Sequence, residues 1–253
     1  MQLSDQKGRV IVQTSNNQLP SISKCGNLLD KYRKEARKSI RAGANQGAAF
    51  YVKGSEKVCG QILLGFEYGY DYGIQSSDAS LSDAFFQVMN EYLKPVPKIK
   101  PAYLPNGYIF LNGSLVPKSI AVDQTEYQKL VQHLSAKSKM SADGSVLFTE
   151  PITWNEANSA MISYIDDTQL KLITILATRM NGQKVDMNIP KNTESQKIVV
   201  NKQEVIYIGP NLEFSNKAIW YDSHTDILVS TWDDANSGIS KEEFLKMVHS
   251  ILN

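Results

Sequence analysis

The stretch Lys217-Ala-Ile-Trp-Tyr-Asp-Ser-His-Thr-Asp-Ile-Leu-Val-Ser-Thr-Trp232 consists of two runs of β-branched, aliphatic and aromatic residues around a short polar segment. Runs of this composition on both sides of Asp, Ser and Thr predict two strands joined by a turn. Glu204–Ile208 has the same character and is followed by Gly209-Pro210, another turn signal. Because strands joined by short turns are antiparallel neighbours, the stretch predicts the centre of an antiparallel sheet.

The same pattern extends outward from this stretch. Further strands are predicted at Ser159–Ile165, Gln169–Thr178 and Ile198–Val200. A helix closes the chain, since Ser240 and Glu243 have capping-box spacing and an apolar face follows them. The fold class is therefore predicted as α+β: a multi-stranded antiparallel sheet with helices packed mainly on one face.

The first hundred residues predict a separate α+β part. A strand is expected at Arg9–Thr14, a helix at Leu28–Ile40 with a basic outer face, and strands at Ala48–Val52 and Val58–Phe66. The basic face indicates either a solvated helix surface or a contact for an acidic partner or anionic polymer.

A connector divides the chain in this prediction. Residues 94–101 hold three prolines, which cannot continue the preceding helix from Ser80 and favour an extended segment. The predicted domains are residues 1–97 and 98–253, and the alternative is that the connector separates two halves of one domain. Just after the connector, Asn112-Gly113 predicts a hairpin turn within Gly107–Val116.

Composition limits the function. With 27 Lys and Arg against 26 Asp and Glu, the net charge of +1 gives no general attraction to nucleic acid or anionic membranes. The sequence contains no run of 18 apolar residues, so no transmembrane helix is predicted. Residues 1–8 lack an apolar signal core, which leaves two interpretations open: a cytosolic protein, or an exported one whose signal peptide is absent.

The two cysteines, Cys25 and Cys59, are disulfide candidates. Pairing across 34 positions would stabilise the fold by roughly 3–4 kcal/mol. Two unpaired thiols are the alternative. A zinc site is not indicated, because zinc-ligand pairs lie close together in sequence.

Aromatic residues are the candidate ligand-binding residues. Tyr68, Tyr70 and Tyr72 alternate with glycines and acids in Gly65–Gly73. They could stack on a sugar or peptide, or cover a sheet edge with their hydroxyl groups in water. Trp154 and Trp232 fall near strand ends, where an indole either packs in the core or lines a concave face of the sheet.

Motifs for catalysis are missing from the sequence. There is no phosphate-binding loop ending in Lys-Ser/Thr, no Gly-x-Ser-x-Gly elbow and no His-Glu-x-x-His helix. Glu67 and Asp71 could act as a carboxylate pair on a glycan. His224 lies between Asp222 and Asp226, but these acids also suit a turn, so we expect no metal, cofactor or catalytic residue.

Four segments together resemble a known family. Tyr103–Tyr108, Val205–Tyr207, Ala218–Asp222 and Ile239–Val248 are similar to the opening, two strands and terminal helix of a domain of unknown function. That domain occurs in lipoproteins and anti-sigma-factor-like regulator ectodomains of Gram-positive spore-forming bacteria. The resemblance covers about residues 102–253, and residues 247–249 depart from the family's usual Ile-Ala-Glu.

The resemblance implies an extracytoplasmic, membrane-anchored or secreted protein without established catalytic residues, and it favours pairing of the cysteines. Two hypotheses result. The first is a non-enzymatic binding or sensing domain for a protein, peptide or cell-envelope component, involved in envelope signalling. The alternative is an envelope glycan hydrolase that uses Glu67 and Asp71. A cytosolic structural module is a third possibility.

Overall fold

The structure is a computed structural model of the chain. It describes residues 1–15, 24–40, 45–68, 79–95, 98–189 and 193–253. In this part of the chain there are thirteen strands and five helices. The prediction of an α+β fold is confirmed, although the strands form three sheets rather than one.

The helices are α1 (Lys24–Arg37), α2 (Glu56–Cys59), α3 (Ala79–Tyr92), α4 (Thr125–Met140) and α5 (Lys241–Leu252). The strands are β1 (Gln2–Ser4), β2 (Val10–Ser15), β3 (Gln46–Val52), β4 (Gly65–Tyr68), β5 (Ile109–Pro117), β6 (Leu147–Thr153), β7 (Ala157–Ile165), β8 (Leu172–Arg179), β9 (Val185–Asn188), β10 (Ser195–Val200), β11 (Gln203–Ile208), β12 (Phe214–Asp222) and β13 (Ile227–Asp234).

The chain divides into two compact units, and each is discontinuous in sequence. Unit 1 consists of residues 1–19, 72–115 and 158–253, and unit 2 consists of residues 20–71 and 116–157. This division differs from the predicted one: the boundary at residues 97 and 98 lies inside unit 1, and residues 102–253 contribute to both units.

The difference arises from β6. It pairs antiparallel with β3, residue Phe50 facing Thr149, and so joins the small sheet of unit 2. A preference for that distant partner cannot be read from the composition of β6 itself, because strand composition does not specify which strand is paired.

Unit 1 is built on a seven-stranded sheet in the order β10-β11-β12-β13-β8-β7-β5. The predicted β12–β13 hairpin is present, and it pairs Trp220 with Val229. Trp220 is almost fully buried. A second sheet, β1-β2-β9, contributes Leu3, Ile11 and Val12 to a core shared with apolar residues of β11 and β12.

A buried polar network fixes the segment that leads into α5. The Asp233 carboxylate accepts hydrogen bonds from the amide of Asn216 (2.9 Å) and the hydroxyl of Ser237 (2.7 Å), and the Tyr207 hydroxyl donates to Asn216. Burial raises the pKa of Asp233, although these hydrogen bonds oppose the increase. The predicted cap of α5 is present, with Ser240 Oγ accepting from the Glu243 amide.

The hairpin predicted at Asn112-Gly113 is wrong. Strand β5 runs through both residues without turning. A Cβ atom at Gly113 would overlap the ring of Phe85 from α3, so the glycine permits close packing of a ring on the strand backbone. Gly113 therefore serves the close approach of the Phe85 ring to the strand, not a turn.

Unit 2 contains the three-stranded sheet β4-β3-β6, with α1 in contact with all three strands. The strand predicted at Val58–Phe66 is wrong in its first half, which forms the short helix α2 and a loop before β4. At Gly65, as at Gly113, a Cβ atom would overlap an aromatic ring, here that of Phe50. Among the described residues, none of the five helices combines the length and the apolar composition that a membrane span requires.

Candidate ligand-binding pocket

The small sheet of unit 2 places one of the candidate tyrosines, Tyr68, in the lining of a pocket. Tyr68 on β4 and Ile152 on β6 both pair with Gly47 on the central strand β3. A Cβ atom at Gly47 would lie 2.8 Å from Tyr68 Cδ1 and 3.1 Å from Ile152 Cγ1. The absence of that atom lets the two side chains lie close together across the middle strand.

Trp154 joins them because β6 ends beside the start of β3. The Trp154 amide donates to the carbonyl of Asn45 at 3.0 Å, which holds the residue next to the sheet. Both Tyr68 and Trp154 are buried. They line a cavity of about 180 Å³ together with Ile152, a second isoleucine, Ile120, and the polar residues described next. We call this cavity the Tyr68–Trp154 pocket.

Polar side chains form the remainder of the pocket. They come from the segment before α4, the first turn of α4 and the segment after β6, namely Lys118, Ser119, Gln124, Glu126, Thr153, Asn155 and Glu156. Lys118 Nζ and Glu156 Oε2 form an ion pair at 2.9 Å, and the Lys118 amide donates to the Glu156 carbonyl. Two chain segments are thereby joined at the pocket rim.

The arrangement suits recognition of one small polar ring or side chain. Its volume is below the roughly 300–1,000 Å³ of pockets for drug-sized ligands. Carboxylates accept hydrogen bonds, while amides and hydroxyls both donate and accept, so the lining can satisfy a ligand that carries hydroxyl and amide groups.

The structure brings two of the five candidate binding residues together, Tyr68 and Trp154. Tyr70 and Tyr72 lie outside the described residues. Trp232 lies in unit 1, on β13, where it packs against the apolar core and has Lys217 Nζ 5.5 Å from its ring centroid. The rim residues were not predicted, because they come from segments without a local motif.

Glu67 has a partner on the basic helix. Its side chain is buried, with Oε1 3.0 Å from Arg37 Nε and Oε2 3.8 Å from Arg33 Nη1 of α1. Burial raises the pKa of Glu67, and the two arginines oppose the increase. Part of the basic face therefore neutralises a buried acid. Asp71, the other member of the hypothetical catalytic pair, lies outside the described residues.

Cys25 and Cys59 are joined in a disulfide bond. The bond connects the first turn of α1 to the end of α2. Since α1 contacts β3, β4 and β6, the disulfide adds a covalent constraint to the packing of the helix on the sheet that carries Tyr68.

The turn around His224 uses its acids as the turn composition predicts. Asp222 accepts hydrogen bonds from the amide of His224 and the hydroxyl of Thr225, and Asp226 accepts from the hydroxyl of Tyr221. Across the part of the chain that the structure describes, no three His, Cys, Asp or Glu side chains come together as a metal site.

Fold and pocket together define an α+β protein with two compact units, one of which carries a small aromatic and polar pocket. Residues 148–251, from β6 into α5, match a family model described as a domain of unknown function (DUF4367). For these residues, the resemblance to a domain family of unknown function is confirmed. Comparisons with curated proteins and with solved structures find no match.

Proposed function

We propose that the protein is a non-enzymatic, extracytoplasmic binding or sensing domain, and that its ligand is a sugar ring of an envelope glycan held in the Tyr68–Trp154 pocket. The observation that carries this proposal is the meeting of Tyr68 from β4 and Trp154 from the segment after β6, far apart in sequence, in one pocket with a polar rim. Aromatic side chains with a surrounding set of hydrogen-bonding groups are a common lining for small-molecule sites.

The disulfide supports the location outside the cytoplasm. Disulfides persist in oxidising compartments and are rare in the cytosol. The resemblance of residues 102–253 to lipoprotein and anti-sigma-factor-like regulator domains of Gram-positive bacteria supports the same location. A lipid anchor or membrane tether and a role in envelope signalling belong to this proposal.

The ion pairs of the acidic residues near the pocket favour a binding role over a catalytic one. Glu156 is held by Lys118, and Glu67 is held by Arg37 and Arg33. Glycoside hydrolysis needs a pair of carboxyl groups that flank the scissile bond, whereas these carboxylates are directed toward lysine and arginine side chains of the protein. The lining is therefore better suited to hydrogen-bond a ring than to cleave a bond beside it.

The indole N–H signals of the three tryptophans test the pocket. In ¹⁵N-labelled protein, we expect N-acetylglucosamine or its dimer to shift the Trp154 signal, assigned from Trp154→Phe, in a saturable way. The Trp220 and Trp232 signals should remain in place. An alanine dipeptide serves as the peptide comparison, and the matched control Trp232→Phe should bind the sugar like the wild type.

Two results would count against the proposal. If the Trp154 signal is unmoved at millimolar sugar while the dipeptide shifts it, the ligand class is wrong. If neither compound moves it, the pocket is not the site. The location is tested independently: protein purified from its native host without reductant should show no titratable thiol after denaturation, and two thiols would contradict export.

A further inference from the structure

The charges that line the Tyr68–Trp154 pocket do not cancel. Among its described residues, the lining contains one lysine, Lys118, and two glutamates, Glu126 and Glu156, but no arginine or histidine. Lys118 and Glu156 form the ion pair at the pocket rim, with Nζ 2.9 Å from Oε2. Because these two charges compensate each other, the lining keeps one negative charge, which belongs to Glu126.

Glu126 is the acid of the lining without a partner. It is the second residue of α4, and its side chain is exposed. Across the described segments of the chain, its carboxylate forms no ion pair and accepts no hydrogen bond. Lys129, three residues further along the same helix, does not pair with it. The charge of Glu126 is therefore available to a ligand in the pocket.

The two aromatic residues of the pocket add to this preference for positive charge. The face of an aromatic ring attracts a cation that lies within about 6 Å of the ring centroid, and tryptophan attracts it most strongly. Tyr68 and Trp154 are both buried and line the same cavity as Glu126. A cation in this cavity would lie near a free carboxylate and two aromatic side chains, whereas an anion would lie near like charge.

We infer that the pocket selects a sugar with a protonated amine over the same sugar with an N-acetyl group, and that Glu126 is the residue that determines this specificity. The inference rests on the proposed function, since it names the kind of glycan sugar that the pocket holds. An ammonium group brings a full charge and three hydrogen-bond donors to a carboxylate, whereas an acetamide group is neutral. The amine is also the smaller group, which suits a cavity of about 180 Å³.

A single free carboxylate agrees with binding of the sugar rather than with its cleavage. Glycoside hydrolysis uses two carboxyl groups on either side of the scissile bond. Of the two glutamates in the described lining, Glu156 is engaged by Lys118, so Glu126 lacks a second free carboxylate to act with. The role of Glu126 is therefore to recognise the ammonium group.

Titrations of ¹⁵N-labelled full chain with glucosamine hydrochloride and with N-acetylglucosamine, followed at the Trp154 indole signal, test the inference. The pH is mildly acidic, so that the amine is protonated, and added sodium chloride matches the ionic strength of the two series. We expect glucosamine to bind about tenfold more tightly, the difference between a charge-assisted and a neutral hydrogen bond. Glu126→Gln should abolish this preference. The matched control is Glu35→Gln, which removes the same charge from an exposed position of α1 in unit 2 and should retain the preference.

The results separate failure of this inference from failure of the proposed function. If the wild type binds both sugars equally, or binds N-acetylglucosamine more tightly, the preference for an amine is wrong while the glycan pocket stands. If Glu126→Gln keeps the preference, or Glu35→Gln lowers it as much, the preference does not arise from Glu126 and the inference is overturned. If neither sugar moves the Trp154 signal, the pocket is not the site and both proposals fail.

Discussion

Removal of the disulfide by Cys25→Ser with Cys59→Ser should destabilise unit 2 by an amount that follows from the chain length. The cysteines are 34 positions apart. In the chain-entropy model, a closed loop of this length removes denatured-state entropy worth about 4 kcal/mol at 25 °C. With an m-value of about 1.5 kcal/mol/M, the urea midpoint would fall by roughly 2.5 M.

The Trp154 indole signal is the suitable probe for this unfolding, because Trp154 lies in unit 2 and the other two tryptophans lie in unit 1. Wild-type protein in a strong reductant should reproduce the midpoint of the double variant, and the two should then be indistinguishable. A loss below about 1 kcal/mol would refute the reasoning, since it would mean that the denatured chain is already constrained or that the pairing does not form.

Further substitutions test the packing and the buried acid. Gly47→Ala should displace the ring of Tyr68 and weaken sugar binding in the Trp154 titration while the fold is retained, as circular dichroism would show; unchanged affinity would contradict the role of this glycine. Gly113→Ala should destabilise the protein by about 1–3 kcal/mol in urea unfolding, because its Cβ would overlap the ring of Phe85; a neutral or stabilising effect would mean that β5 turns there after all. For Asp233, burial raises the pKa of the folded state, so the native protein holds this proton more tightly than the unfolded chain and the contribution to stability falls as pH rises above the usual range of Asp. The stability of the wild type relative to Asp233→Asn should therefore be greatest at acid pH and decrease toward neutral pH, and a difference that grows with pH would contradict the assignment.

Elements governed by local chemistry could be predicted from the sequence. The β12–β13 hairpin follows from two apolar runs on either side of an Asp- and Ser-containing turn, and α5 begins at the Ser240 cap that its spacing indicates. The match of residues 148–251 to a family model falls in this same well-patterned part. These signals act over a few residues, which is the range in which side-chain chemistry determines backbone conformation.

Features that depend on distant partners could not be predicted. Asn112-Gly113 has the composition of a turn. In the structure, however, Gly113 lies within β5, and its missing side chain leaves room for the ring of Phe85 from α3. The pairing of β6 with β3 likewise cannot be predicted from the sequence of either strand. The pocket combines both difficulties: Tyr68 and Trp154 could be named as candidates, but their meeting depends on three strands and on Gly47 between them.

The route of the chain between the two units bears on how the protein is made. Because unit 1 takes its segments from both ends and the middle of the sequence, it is incomplete until the last strands and α5 exist. Strand β2 pairs with β9, where Val12 lies beside Val185, and these strands are far apart in sequence. Until β9 is in place, one Val- and Ile-rich edge of β2 is unpaired. Such non-local pairing slows folding. A fragment starting at residue 98 would therefore leave β6 without β3 and β9 without β2.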